Sequence, residues 1–156
     1  DFYDEALINE IVDFLEHPEF PSELIRFEIT ETSYAALEEN VGRVLNKIKK
    51  KGAWILLDDF GSGYSSFNML QRFSFDILKI DMSFTREIEM NSRTRRLIPL
   101  IIETAHALDA KTVAEGAETK EQVEFLRNHG CDYIQGYYFY RPLKKDEFSE
   151  KLDQNS

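Results

Sequence analysis

Asp58 and Asp59 stand side by side after the apolar residues 53–57 and are followed by Phe60-Gly61-Ser62-Gly63. Two adjacent carboxylates repel each other unless something positive neutralises them. Neighbouring side chains in a strand face opposite ways, so both acids reach one centre only where the strand becomes a loop. The two glycines permit that turn. A bare Asp-Asp pair could equally be two acids on an exposed loop, but further residues point the other way. Glu28, Asp81 and Glu115 each close a short apolar run, and Gln135 stands early in another. Lys79 interrupts Ile77-Leu78-Lys79-Ile80, where a solvated lysine is not expected, and alternation puts it on the face of Asp81. A lysine among carboxylates could orient or polarise an attacking water. Its alternative is an ion pair with Asp81 or Glu115 that takes no part in chemistry. The donors are oxygens: Cys131 is alone, and His17, His106 and His129 have no ligand spacing. Such a set suits Mg²⁺ or Mn²⁺ rather than zinc.

The elements that must hold these residues alternate. Residues 2–15 carry Leu7, Ile11 and Leu15 at helical spacing, and 24–29 form a short apolar strand. Thr32 or Ser33 can cap a second helix bearing Leu37, Val41, Val44, Leu45 and Ile48, which Lys49, Lys50, Lys51 and Gly52 bring to an end. A strand at 53–57, a short helix at 65–73 and a strand at 77–80 follow. Residues 84–109 are helical in pattern, with Pro99 expected to start a last segment or to kink it. Next come a strand at 112–114, a helix at 120–128 stopped by His129-Gly130, and a strand at 133–140. The aromatic run at 137–140 is expected in the core. This alternation implies parallel βαβ units. The polar residues at the strand ends recur about one strand–helix unit apart. A β/α barrel gathers such ends on one face better than an open doubly wound sheet does.

Composition sets outer limits. The chain has 156 residues, 42% hydrophobic and 31% charged, and a net charge of −10 from 29 acidic and 19 basic side chains. An acidic surface argues against duplex nucleic acid, whose binding is driven by phosphate neutralisation. It does not exclude a small phosphate ligand held through cations. No stretch reaches the ~20 apolar residues of a membrane span, and the lone cysteine excludes an internal disulfide. The first residue is Asp1 rather than Met, which leads us to expect a piece of a longer chain.

The ordered motifs resemble the EAL family of cyclic di-GMP phosphodiesterases. Glu28-Ile29-Thr30-Glu31 resembles its E-x-T-E segment, and D-D-F-G-S-G-Y-S-S at 58–66 resembles its D-D-F-G-x-G-Y-S-S loop. Leu78-Lys79-Ile80-Asp81, V-A-E-G-A-E-T at 113–119, Cys131-Asp132 with Gln135-Gly136-Tyr137, and Arg141-Pro142-Leu143 complete the series. The resemblance implies Glu28 and Asp58 as metal ligands and Asp59 as ligand of a second metal. It implies Lys79 on the nucleophilic water, Glu115 as metal-site carboxylate or general base, and Gln135 as a water or substrate contact. Glu31 would brace the 58–66 loop, Glu118 would support it, and Pro142 would lie against a guanine. The implied reaction is in-line attack of metal-activated water on cyclic di-GMP, giving pGpG, with Mg²⁺ or Mn²⁺, in a bacterial cytoplasm.

The departures lie at the front. The family opens with a strand bearing Glu-Ala-Leu and a following strand bearing an Asn ligand. Glu5-Ala6-Leu7 spells the first motif, but in an amphipathic helix too close to Glu28 for the intervening elements. A whole barrel needs roughly 250 residues. We therefore expect residues 1–156 to be the C-terminal part of a single EAL domain, an incomplete TIM-type α/β barrel with about five strands. Activity is expected to be impaired, and self-association or a partner domain to cover the open barrel. The alternative function is an inactive EAL module that acts as nucleotide receptor or protein-interaction domain.

Overall fold

The computed structural model describes residues 5–15, 17, 21–30, 40–61, 70–71 and 74–154. Five strands, β1 (Arg26–Thr30), β2 (Trp54–Phe60), β3 (Ile77–Ile80), β4 (Lys111–Ala114) and β5 (Tyr133–Ile134), form one sheet in the order β1-β2-β3-β4-β5. All four neighbouring pairs are parallel. A doubly wound sheet reverses its strand order partway, whereas a barrel never does. This is the α/β arrangement of a partial TIM-type barrel.

The helices are α1 (Glu5–Leu15), α2 (Asn40–Lys50), α3 (Met82–Glu87), α4 (Ser92–Ala107), α5 (Lys120–Asn128) and α6 (Lys145–Gln154). Alternate strand residues Ile29, Ile55, Leu57, Leu78, Ile80 and Ala114 pack into one core with Leu45 and Ile48 of α2, Ile98, Ile102 and Ala105 of α4, and Leu126 of α5. The other set of alternate positions carries Glu28, Asp58 and Lys79 on the opposite face. The hydrophobic effect thus fixes which face each polar residue must take, because a slip of one residue would bury the charges.

Several boundaries differ from the sequence pattern. The strand expected at 24–29 begins at Arg26, since Ser22–Leu24 is a 3-10 turn. The helix expected at 84–109 is two: Asn91 accepts N–H groups of Arg93 and Thr94 and caps α4 afresh, and Pro99 lies inside that helix. The strand expected at 133–140 stops after Ile134. A Cβ on Gly136 would lie 2.1 Å from the Ala117 carbonyl oxygen, so the chain passes against the 115–117 segment there, and the Tyr138 N–H bonds to Ala117 O at 2.9 Å. The aromatic run is consequently outside the core: Tyr137, Tyr138, Phe139 and Tyr140 are 55%, 42%, 43% and 56% exposed. The caps Thr32 and Ser33 and most of the 65–73 helix lie outside the described residues.

Candidate active site

Lys79 stands in β3, and its side chain is only 11% exposed. Its Nζ lies 2.9 Å from Asp58 Oδ1 on β2, 2.9 Å from Glu115 Oε1 just past β4, and 3.3 Å from Glu28 Oε1 on β1. Four adjacent strands therefore converge on one ammonium. Burial pulls Lys79 toward neutrality, but the hydrogen bonds and charges of Asp58 and Glu115 outweigh it, and its pKa is held above the ordinary lysine value. So Lys79 stays charged. It can orient water or a phosphate oxygen, and it cannot serve as a general base while those carboxylates face it.

Asp59 reaches the same region by a local distortion. The β2–β3 register shifts between Leu57 and Phe60, and Asp59 has φ 56°. A bulge of this kind lets consecutive side chains share one side. The Asp59 N–H donates to Asp58 Oδ1 at 2.9 Å. Partial burial, then the charges of Asp58 and Asp81, raise the Asp59 pKa above the usual carboxylate value. Three carboxylates (Glu28, Asp58, Glu115) thus pair with one lysine while Asp59 stands near enough to feel its charge, and the balance is negative. Among the described residues no three acidic, His or Cys groups close around a common point as a ready metal cage. The uncompensated charge and the all-oxygen donors nonetheless fit a hard divalent cation.

The remaining expected residues lie around this cluster. Gln135 follows β5, donating its N–H to Ala114 O at 2.9 Å and accepting the Ala117 N–H at 3.1 Å. Its backbone is tied beside Glu115. Pro142 and Gln135 line a cavity of about 440 Å³ whose far wall is Phe148, Lys151 and Leu152 of α6. Helix α6 escaped the sequence reading, although its signal exists: acids at Asp146 and Glu147, then Phe148 and Leu152 at i, i+4. Glu118 is not in the cluster; it faces Arg86 at 3.5 Å, while its N–H donates to Gln122 Oε1 at 2.7 Å. Asp81 caps α3 through Ser83 N at 2.8 Å. Glu31 lies outside the described residues. Burial raises the Cys131 thiol pKa, which suits a packing role better than a nucleophilic one.

A family model described as EAL domain matches residues 1–142. The cyclic di-GMP phosphodiesterase NbdA of Pseudomonas aeruginosa is 36% identical over 147 residues, which is 94% of this chain and 19% of that protein. The crystal structure of an EAL domain protein from Listeria monocytogenes superposes with TM-score 0.85 at 37% identity, covering 97% of this chain and 60% of that one. Klebsiella pneumoniae BlrP1 in its manganese and cyclic di-GMP complex superposes with TM-score 0.81 at 28% identity, covering 90% of this chain and 36% of that one. The chain spans 17% to 19% of the length of the first curated relatives it matches. No described helix is long and apolar enough to cross a membrane.

Proposed function

The chain belongs to the EAL domain family, and from that premise we propose that it supplies the acid-and-lysine side of a cyclic di-GMP phosphodiesterase site, as the C-terminal part of one EAL domain. The observation that carries this reading is Lys79 held at 2.9 Å from both Asp58 and Glu115 and 3.3 Å from Glu28. Glu28, Asp58 and Asp59 would hold Mg²⁺ or Mn²⁺, with Glu115 as a further ligand or as base. Bound there, such ions supply charge neutralisation and a more acidic water. The chain's own part is geometric and electrostatic. Lys79 orients the attacking water and draws the anionic phosphodiester into an otherwise acidic site. Glu115, on the strand on the other side of Lys79 from Asp58, would as base take the water's proton. Gln135 contacts water or substrate, and Pro142 flanks a base in the cavity beside it. The product is linear pGpG by in-line displacement.

The family's Glu-Ala-Leu glutamate and its Asn ligand have no counterpart in residues 1–156, so we expect this chain alone to turn over slowly. Chromatography of cyclic di-GMP incubated with the chain and Mg²⁺ or Mn²⁺ tests this: slow pGpG formation that vanishes in Lys79→Ala is the expected result. The same vanishing slow rate would be absent if the lysine merely balanced charge. A second reading, a nucleotide-binding or interaction module without turnover, is favoured by one feature. Among the described residues β1 and β5 are each paired on one side only, and unpaired sheet edges invite association. Calorimetry with cyclic di-GMP and sedimentation at high concentration separate the two: binding and self-association without pGpG would support it.

A further inference from the structure

The strand that carries Lys79 and the strand that leads to Gln135 enter the sheet through the same fastening. Immediately before β3, Asp76 accepts the Ile55 N–H of β2 on Oδ2 at 2.8 Å and donates its own N–H to Ile55 O at 2.8 Å. Its Oδ1 pairs at 2.8 Å with Lys49, in the last turn of α2. Immediately before β5, Asp132 Oδ2 accepts the Thr112 N–H of β4 at 2.8 Å and the Thr112 hydroxyl at 2.9 Å. The Asp132 N–H returns to Thr112 Oγ1 at 3.1 Å, and Oδ2 faces His106 Nε2 at 2.9 Å, in the last turn of α4.

The correspondence extends beyond the carboxylates. Gly52 and Asp109 both have positive φ, 93° and 58°, and each precedes a buried alanine, Ala53 or Ala110. Lys49, Gly52, Ala53, Ile55 and Asp58 recur at one constant spacing as His106, Asp109, Ala110, Thr112 and Glu115. The second pair of strands therefore repeats the first, down to an acid at the mouth.

We propose that Asp76 and Asp132 are positioning residues, register locks that place Lys79 and Gln135, each three residues downstream, at the mouth of the sheet. The placing of those two side chains in the site rests on the phosphodiesterase reading; the locks themselves rest on the contacts above. β3 has four residues and β5 two, so each adds few ladder bonds to the facial preference that burial imposes. A one-residue slip would turn Lys79 into the helix-covered core and Gln135 away from Glu115. A carboxylate bonded to one specific N–H of the neighbouring strand admits a single register. It also stands about 10 Å from the mouth at the strand rise, at the N-terminal ends, where barrel residues serve stability rather than chemistry. The hydrogen bonds from His106 and Thr112 overcome the effect of burial and hold the Asp132 carboxyl below its ordinary pKa, so it remains a charged acceptor.

Amide hydrogen exchange on the full chain tests the locks independently of turnover. In Asp132→Ala, the Gln135 and Ala117 amides should exchange about tenfold faster, the effect of losing hydrogen bonds to a charged group, while β2 and β3 amides keep their rates. Asp76→Ala should show the reverse pattern. Asp132→Asn keeps an acceptor for the Thr112 N–H and should give a smaller rise, about threefold, confined to the same amides. That variant decides the matter if the alanine variant does not fold. A rise spread evenly over both halves, or unchanged Gln135 protection in the asparagine variant, overturns the proposal. Cyclic di-GMP turnover is read in parallel. If the unmodified chain makes no pGpG, the phosphodiesterase reading fails while the exchange pattern still decides the locks.

Discussion

The half of the molecule from Lys49 to Lys79 and the half from His106 to Gln135 share a fastening and differ in what they deliver. The first has strands of seven and four residues and ends in a lysine whose side chain is 11% exposed, clasped by carboxylates from its neighbours. The second has strands of four and two residues and ends in an exposed glutamine. A strand buried on both faces can keep a charge only where partners neutralise it, so the first half carries the electrostatics. The second, thinner half lends one carboxylate, Glu115, to that lysine and ends in a neutral contact, with exposed aromatic side chains just beyond it. One repeated scaffold thus supports two duties because the residue downstream of each lock is free to vary.

The largest expected effect breaks the halves apart. Lys79→Met keeps the aliphatic stem and removes the charge, and pGpG formation should fall about 10³-fold, as for loss of a preorganised electrostatic group. Gln135→Ala should cost about tenfold, the scale of one hydrogen bond. Equal losses in a side-by-side rate measurement would erase the distinction between the charged end of the first half and the neutral end of the second.

Much of the first half was legible in the sequence, and the second less so. Asp58 and Lys79, and Glu115 opposite them, could be placed from alternation and strand-end position, because burying one face of each strand leaves a single choice for the other. Glu28 read alone is a strand edge and needs the family resemblance. What alternation could not show was the bulge at Asp59, a backbone event at φ 56° in a residue type that only tolerates it. Nor could it end β5 at Ile134: the residues after it read as an alternating aromatic strand, and only the contact of Gly136 with the Ala117 backbone, distant in sequence, turns the chain. The locks were invisible for the same reason. Asp76 looks like an ordinary loop acid, and Asp132, though part of a motif, has no evident role until Ile55 and Thr112 lie beside them.

Next in size is that contact. A Cβ at Gly136 would meet the Ala117 backbone at 2.1 to 2.7 Å, and backbone cannot move aside as a flexible side chain can. Gly136→Ala should lower stability by about 3 kcal/mol, the upper range for overpacking, read as a lower urea midpoint. The loss should appear first as exchange at β4 and β5, sharpening the view that the second half is the weaker. A midpoint within error of the unmodified chain would mean that the turn has room the structure does not show.

A smaller effect tests the second lock by pH. Asp132 has a depressed pKa in the folded chain, so its contribution is complete above the unfolded value near 3.9 and is lost as the pH falls through the folded value. The unfolding free energies that urea titration gives for the unmodified chain and for Asp132→Asn should therefore differ by about 1 kcal/mol at pH 6 and converge as the pH drops below about 4. A gap that stays constant down to pH 3 would place the stabilisation in shape rather than charge.

The smallest effect lies at the residue where the two halves diverge for no functional gain. Gly52 and Asp109 occupy the same left-handed position after their helices. An L residue there costs about 1 kcal/mol, less for Asp than for most. The Asp109 carboxylate also sits by the carbonyl end of α4, where the helix dipole disfavours a negative charge by several tenths of a kcal/mol. Glycine removes both penalties but adds freedom to the unfolded chain, worth about 0.4–1 kcal/mol against folding. The terms nearly cancel, so Asp109→Gly should stabilise by about 0.5 kcal/mol or less, whereas Asp109→Asn removes only the charge and should gain a similar few tenths. If asparagine gains and glycine does not, the dipole is the whole effect; if glycine alone gains, the backbone is. Gly52→Ala, by contrast, meets Ser22 Oγ at 3.0 Å as well as the strained φ, and should lose about 1–2 kcal/mol. The same position is thus tolerant in the weaker half and intolerant in the half that holds the lysine, because Ser22, which caps the Lys51 carbonyl there, fills the space a side chain would need.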